Sequence, residues 1–112
     1  MLSEDRVRVL HMSEAAEQAL AFTSGLTIDQ LRTDKKTLFA VIRCIEIIGE
    51  AAGRVSGETR ANAPVIPWSA MAGMRNRLVH AYFDVDTDVV WRTITEELPA
   101  LLQLLRPLMA KD

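Results

Sequence analysis

Apolar residues return every three or four positions over most of this chain, and no stretch carries the one-by-one alternation of a half-buried strand. That recurrence follows the α-helical repeat, so the chain must bury helical stripes against one another. The line Leu31, Leu38, Ile42, Ile45, Gly49, Ala52 is close to heptad spacing, and Val90, Ile94, Leu98, Leu101, Leu105, Leu108 forms a second. Aromatic residues make up only 5% of the 112 positions, while 49% are hydrophobic. Leu, Ile, Val, Ala and Met therefore fill the core, as in helical bundles. The predicted fold is all-α: an antiparallel bundle of four main helices in one domain spanning residues 1–112.

The helices are bounded by local signals. The first runs from Ser3, its expected N-cap, to about Thr23, with Val7, Leu10, Ala15, Leu20 and Phe22 as its apolar members; Ser24-Gly25 ends it. The second runs from Ile28 or Asp29 to Val55 and is closed by Ser56-Gly57. Gly49, Ala51, Ala52 and Gly53 let another backbone come close, within the chain or from a second copy. Glu46 and Glu50, one turn apart, read as a solvated or arginine-pairing edge. Pro64-Val65-Ile66-Pro67 is an expected extended connector, with Pro67 suited to the first turn of the next helix. The third helix carries Trp68, Met71, Met74 and Leu78. Asp84, Asp86 and Asp88 offer caps for the fourth, which Pro99 should kink or split.

Composition excludes several classes. A formal charge of −2 and a pI near 5.7 do not suit a general nucleic-acid coat. The lone Cys44, inside an apolar run, allows no internal disulfide or cysteine metal cage and reads as a buried hydrophobe. No segment has the apolar length of a membrane span or a signal core, so a soluble, cytoplasmic protein is expected. Trp68 and Trp91 read as core anchors, and His11 as structural.

The chemistry concentrates in Arg75-Asn76-Arg77-Leu78-Val79-His80-Ala81-Tyr82. An imidazole titrates near neutrality and a guanidinium matches phosphate oxygens, a pairing suited to proton transfer beside a phosphodiester. On an unbroken helix Arg75 and His80 lie roughly 140° apart and cannot meet on one phosphate. Asn76 and His80 would share a face, as would Arg75 and Tyr82. Two arrangements escape that geometry: the helix ends near His80, or two copies meet across a dimer axis. Cleaving RNA without metal needs one group to take the 2′-OH proton and another to protonate the departing oxygen. One histidine per chain cannot do both at once, whereas a symmetric pair can. The plainer reading is a helix end whose Arg-Asn-Arg caps carbonyls and solvates a surface.

This stretch resembles the R-x-x-x-x-H-x-Y signature of the HepT-like toxins of the HEPN superfamily. Ile45-Glu46-Ile47-Ile48-Gly49-Glu50-Ala51-Ala52, Pro64-Val65-Ile66-Pro67-Trp68, Gly73-Met74 and Tyr82-Phe83-Asp84-Val85-Asp86 resemble the same family, over about Phe39 to Leu98. The resemblance implies an all-helical homodimer with its active cleft at the subunit interface. It further implies a metal-independent endoribonuclease toxin of a type II toxin–antitoxin system that requires no cofactor. Arg75 and His80 match the catalytic pair, and Asn76 is expected to position substrate or orient the imidazole. The implied partners are RNA and an MNT-type nucleotidyltransferase antitoxin, which transfers AMP onto the tyrosine corresponding to Tyr82. The competing reading is a non-catalytic helical subunit that binds a nucleotidyltransferase and presents substrate or nucleotide.

Overall fold

The computed structural model describes residues 1–81 and 84–110, and they are overwhelmingly helical. Helix α1 spans Ser3–Thr23 as expected, but Leu2, in extended conformation, occupies the N-cap and no side chain caps there. Ser3 is the first helical residue instead. Glu4 and Asp5 place negative charge in the first turn, where the helix dipole favours it. Gly25, at φ +79°, provides the left-handed residue that turns the chain after α1. The apolar face of α1 differs from the expected one. Val9, Met12, Ala16 and Ala19 form the buried seam, while Val7, Leu10 and Phe22 stay exposed. Small alanines allow close approach, so packing selected them over the larger side chains on the other side.

The long second helix divides at Asp34. Helix α2 (Ile28–Thr33) begins with a capping box in which Thr27 and Gln30 exchange side-chain-to-backbone hydrogen bonds. Helix α3 (Lys35–Arg54) begins at Asp34, whose carboxylate accepts from the Thr37 N–H at 3.1 Å and its hydroxyl at 2.7 Å. A short polar side chain that binds its own backbone favours a fresh helix start over a mid-helix position. Leu31, Leu38, Ile42, Ile45, Gly49 and Ala52 are nonetheless all buried. Ser56 then plays a second part: it caps α4 (Gly57–Asn62), a helix not anticipated, through Thr59 N–H. Arg60 of α4 donates to the Val55 and Ala52 carbonyls at 3.0 and 2.9 Å, satisfying the end of α3.

Asp5 clamps α1 to this junction. It is 2% exposed and accepts from the Ser56 N–H (2.9 Å), the Ser56 hydroxyl (2.5 Å) and the Thr59 hydroxyl (2.6 Å). Burial disfavours its charge, but the hydrogen bonds from Ser56 and Thr59 outweigh that and hold the carboxyl below its usual range.

The expected extended connector is a turn, closed by Ile66 N–H to the Ala63 carbonyl at 3.2 Å, because Ile66 folds inward to 2% exposure. Pro67 sits at the N-cap of α5 (Trp68–Ala72), one position before the expected first turn. Trp68 is buried and its indole N–H donates to the Ala63 carbonyl at 3.0 Å. Gly73 separates α5 from α6 (Met74–Leu78), so the third helix is also two. A short antiparallel pair follows, β1 (Val79–Ala81) with β2 (Asp84–Val85), where no strand was expected.

Beyond it, α7 (Thr87–Arg92) runs through a π-helical turn (Thr93–Glu97) into α8 (Leu98–Ala110). Pro99 lacks an N–H and its ring would strike the Thr95 carbonyl in a regular helix. The preceding turn widens instead, and Leu98 N–H bonds back to the Thr93 carbonyl. The kink expected at Pro99 thus takes the form of a π turn. Helices α1 and α3 pack along one another, α8 lies against α1, and α5 and α6 lie against α3. Cys44 is buried among them.

Candidate active site at the end of helix α6

The site depends on how closely α5 approaches α3. A Cβ placed on Gly49 would lie 3.0 Å from the Met71 carbonyl oxygen and 3.3 Å from that of Ala72. Only a glycine leaves the α5 backbone undisturbed there, so the close contact lies within the chain. One turn earlier on α3, Glu46 meets Arg75 of α6, with Oε2 accepting from Nε at 2.7 Å. The guanidinium is held by its inner nitrogen. Its terminal amino groups, on a side chain 49% exposed, have no partner among the described residues. A planar fork fixed in this way offers two parallel donors to a phosphate.

His80 does not continue the helix. Helix α6 stops at Leu78, and Val79 turns to extended backbone, closed by its N–H to the Arg75 carbonyl. The helical relation drawn for Asn76 with His80 therefore does not apply, because His80 stands on β1. Its side chain is 55% exposed, with Nε2 4.0 Å from Asp86 Oδ2, a distance for charge attraction rather than a hydrogen bond. Asp86 is itself fixed. Its Oδ1 accepts from Val89 N–H at 3.1 Å, capping α7, and its N–H donates to the Leu78 carbonyl at 2.8 Å.

Arg75 and His80 thus lie five residues apart, each beside its own carboxylate, and share no hydrogen bond. Asn76 is exposed on α6 next to Arg75. Arg77, the second motif arginine, faces the π turn, with Nη2 3.5 Å from Glu97 Oε1. Tyr82, the expected modification site, lies outside the described residues. Among the described residues no group of three His, Cys, Asp or Glu side chains is placed to hold a metal ion. No helix among them is long and apolar enough to cross a membrane.

Two site residues were not singled out from sequence. Glu46 was read only as a solvated or arginine-pairing edge, and Asp86 only as a cap; each does this and also faces a motif side chain. His11, expected to be structural, is instead exposed on α1 and lines a cleft against α3.

The family model for ribonuclease HepT-like proteins matches residues 12–108. A protein of Thermococcus cleftensis named "Probable ribonuclease HepT" is 46% identical over 90 residues, covering 80% of this chain and 82% of that protein. A Methanocaldococcus jannaschii relative with a provisional RNase name is 35% identical over 88 residues, covering 79% and 81%. One from Caldanaerobacter subterraneus, also provisionally named an RNase, is 31% identical over 102 residues, covering 91% of each chain. No solved structure gives a significant match. Matched by that family model over most of its length and by relatives of 31–46% identity, the chain belongs to the HepT-like ribonuclease family.

Proposed function

We propose that this protein is the endoribonuclease toxin of a toxin–antitoxin pair, acting without a metal in a cleft shared by two copies. The observation that carries this reading is the presentation of Arg75 and His80. Glu46 holds the guanidinium by Nε, so its terminal amino groups face outward, and the imidazole is exposed beside Asp86. In the paired form, one imidazole removes the proton from the ribose 2′-oxygen, which attacks the neighbouring phosphorus. The phosphorus–O5′ bond breaks, and the second imidazole, protonated, donates to the departing 5′-oxygen. The products are a 2′,3′-cyclic phosphate and a 5′-hydroxyl. The two arginines stabilise the charge that builds on the non-bridging oxygens.

Pairing is supported by Phe39, 56% exposed and two turns from Glu46 on α3, hence on the same outward face. Asn76, next to Arg75, positions the substrate strand. Control follows from an MNT-type nucleotidyltransferase antitoxin that adds AMP to Tyr82. A bulky anion two residues from His80 would occupy the phosphate-binding groove and repel RNA.

The experiment is cleavage of total RNA by the purified, unmodified protein in EDTA, with mapping of the product ends. Cyclic-phosphate ends, lost in His80→Ala and Arg75→Ala variants that still self-associate, are expected. Wild-type cleavage by both variants would refute the assignment. No product ends, together with nucleotide-dependent binding to the antitoxin, would mark a non-catalytic subunit.

A further inference from the structure

A second feature lies beyond the motif, on the groove where the first half of α1 meets the last turns of α3. A cleft of about 510 Å³ opens there, within the size range of small-ligand sites. The apolar part of its lining is Val7, Ile47 and Ala51. Three basic side chains stand around it: Arg8 and His11 from α1, and Arg54 from the end of α3. Arg8 is half-buried, yet neither it nor Arg54 forms a salt bridge among the described residues. Asp5 gives its oxygens to Ser56 and Thr59, and its charge also acts on Arg8. The donor groups of Arg8 and Arg54, which form no salt bridge among the described residues, can turn to an anion in the cleft.

The cleft and the motif lie along the same helix, α3. Glu50 lines it and pairs with Arg43 at 3.7 Å, and one turn back along α3 Glu46 holds Arg75. Arg54 therefore stands about two turns along α3 from the glutamate that holds Arg75. From Glu46 to Arg54 the helix axis advances about 12 Å, a distance an RNA strand crosses in a few nucleotides. We infer that this cleft binds one nucleotide of the RNA chain away from the scissile bond, its phosphate on Arg8 and Arg54 and its base on the apolar lining. His11 supplies a ring for the base to stack on. Glu4 at the rim accepts from amino or hydroxyl groups, which favours a nucleotide over a bare anion. This inference rests on the ribonuclease reading.

The test titrates a fluorescein-labelled single-stranded RNA of mixed sequence into the His80→Ala protein, with Arg54→Gln alone and with Arg8→Gln/Arg54→Gln, and with AMP as competitor. Arg54 is exposed, so the single variant stands even if the double one fails to fold. About tenfold weaker RNA binding is expected for Arg54→Gln. The slope of log affinity against log salt should shrink by about 0.7 per arginine removed. With His80 intact, Arg54→Gln should raise KM and leave kcat unchanged, as for a contact made equally in ground and transition states. Wild-type affinity and slope in Arg54→Gln would overturn the inference, as would no RNA binding by the His80→Ala protein. A loss confined to AMP would also overturn it, marking a free-nucleotide site. RNA binding that weakens as expected while the wild-type protein cleaves no RNA would sink the ribonuclease reading alone.

Discussion

Arg75 and Asp5 show how differently a paired charge acts at the surface and in the interior. The Arg75–Glu46 contact is partly exposed and adds at most about 1 kcal/mol to stability; its importance is directional. Glu46→Ala is expected to leave the melting temperature nearly unchanged and to lower cleavage by about tenfold or more. Glu46→Gln keeps an acceptor for Nε and should restore much of the rate, as steady-state kinetics on a cleavable RNA would show. Equal activity in all three proteins would remove Glu46 from the site. Asp5 is the opposite case, buried with three donors on one carboxylate. Asp5→Ala strands those donors and should cost about 2–3 kcal/mol in urea unfolding. Its folded pKa lies below the unfolded one, so its contribution is fully present above the ordinary aspartate range. It is lost as pH falls through the folded value. Acid unfolding of wild type should therefore include a component that Asp5→Asn lacks. The motif was legible from residue identity alone. Glu46 and Asp86 were not, because a carboxylate's meaning depends on what packs opposite it.

At the scale of elements, periodicity misled at helix boundaries as well as on the face of α1. The apolar stripe passes through Asp34 and Gly73 without a break, so it reads as continuous helix. Local hydrogen bonding then divides it at Asp34, through Thr37, and opens the unanticipated α4 at Ser56, through Thr59. These Asp-x-x-Thr and Ser-x-x-Thr spacings were visible signals that the longer-range pattern masked. The contact of α5 with α3 carries its own prediction. Gly49→Ala gains about 1 kcal/mol of helix propensity, but its methyl must displace backbone oxygens at 3.0 and 3.3 Å. Backbone yields less readily than a side chain, so net destabilisation is expected, with α6 shifted and Arg75 drawn off Glu46. Cleavage should fall by more than the unfolding midpoint implies. Wild-type stability and activity together would mean that α5 has room to move.

Over the whole molecule, the open question is what covers the outward face of α3. Phe39 stands there in solvent, on the side that carries Glu46 and therefore Arg75. If two copies pair on this face, Phe39→Asp should give monomers by sedimentation at micromolar concentration. Cleavage should then drop to the level of His80→Ala, with the helical circular dichroism intact. A fully active monomer would show that one chain supplies the whole site.

From the order of its residues alone, this chain determined that it would be helical and which residues of α3 and of the fourth helical run would be buried. Those properties repeat within a turn or two, and local spacing is enough to set them. Tertiary structure decided the rest: which face of α1 went inward, which carboxylate met which motif side chain, and that His11 lines a cleft. Glu46 and Arg75 are 29 positions apart, and their meeting depends on two backbones touching at Gly49. No local pattern encodes a contact made only when separate helices close on one another.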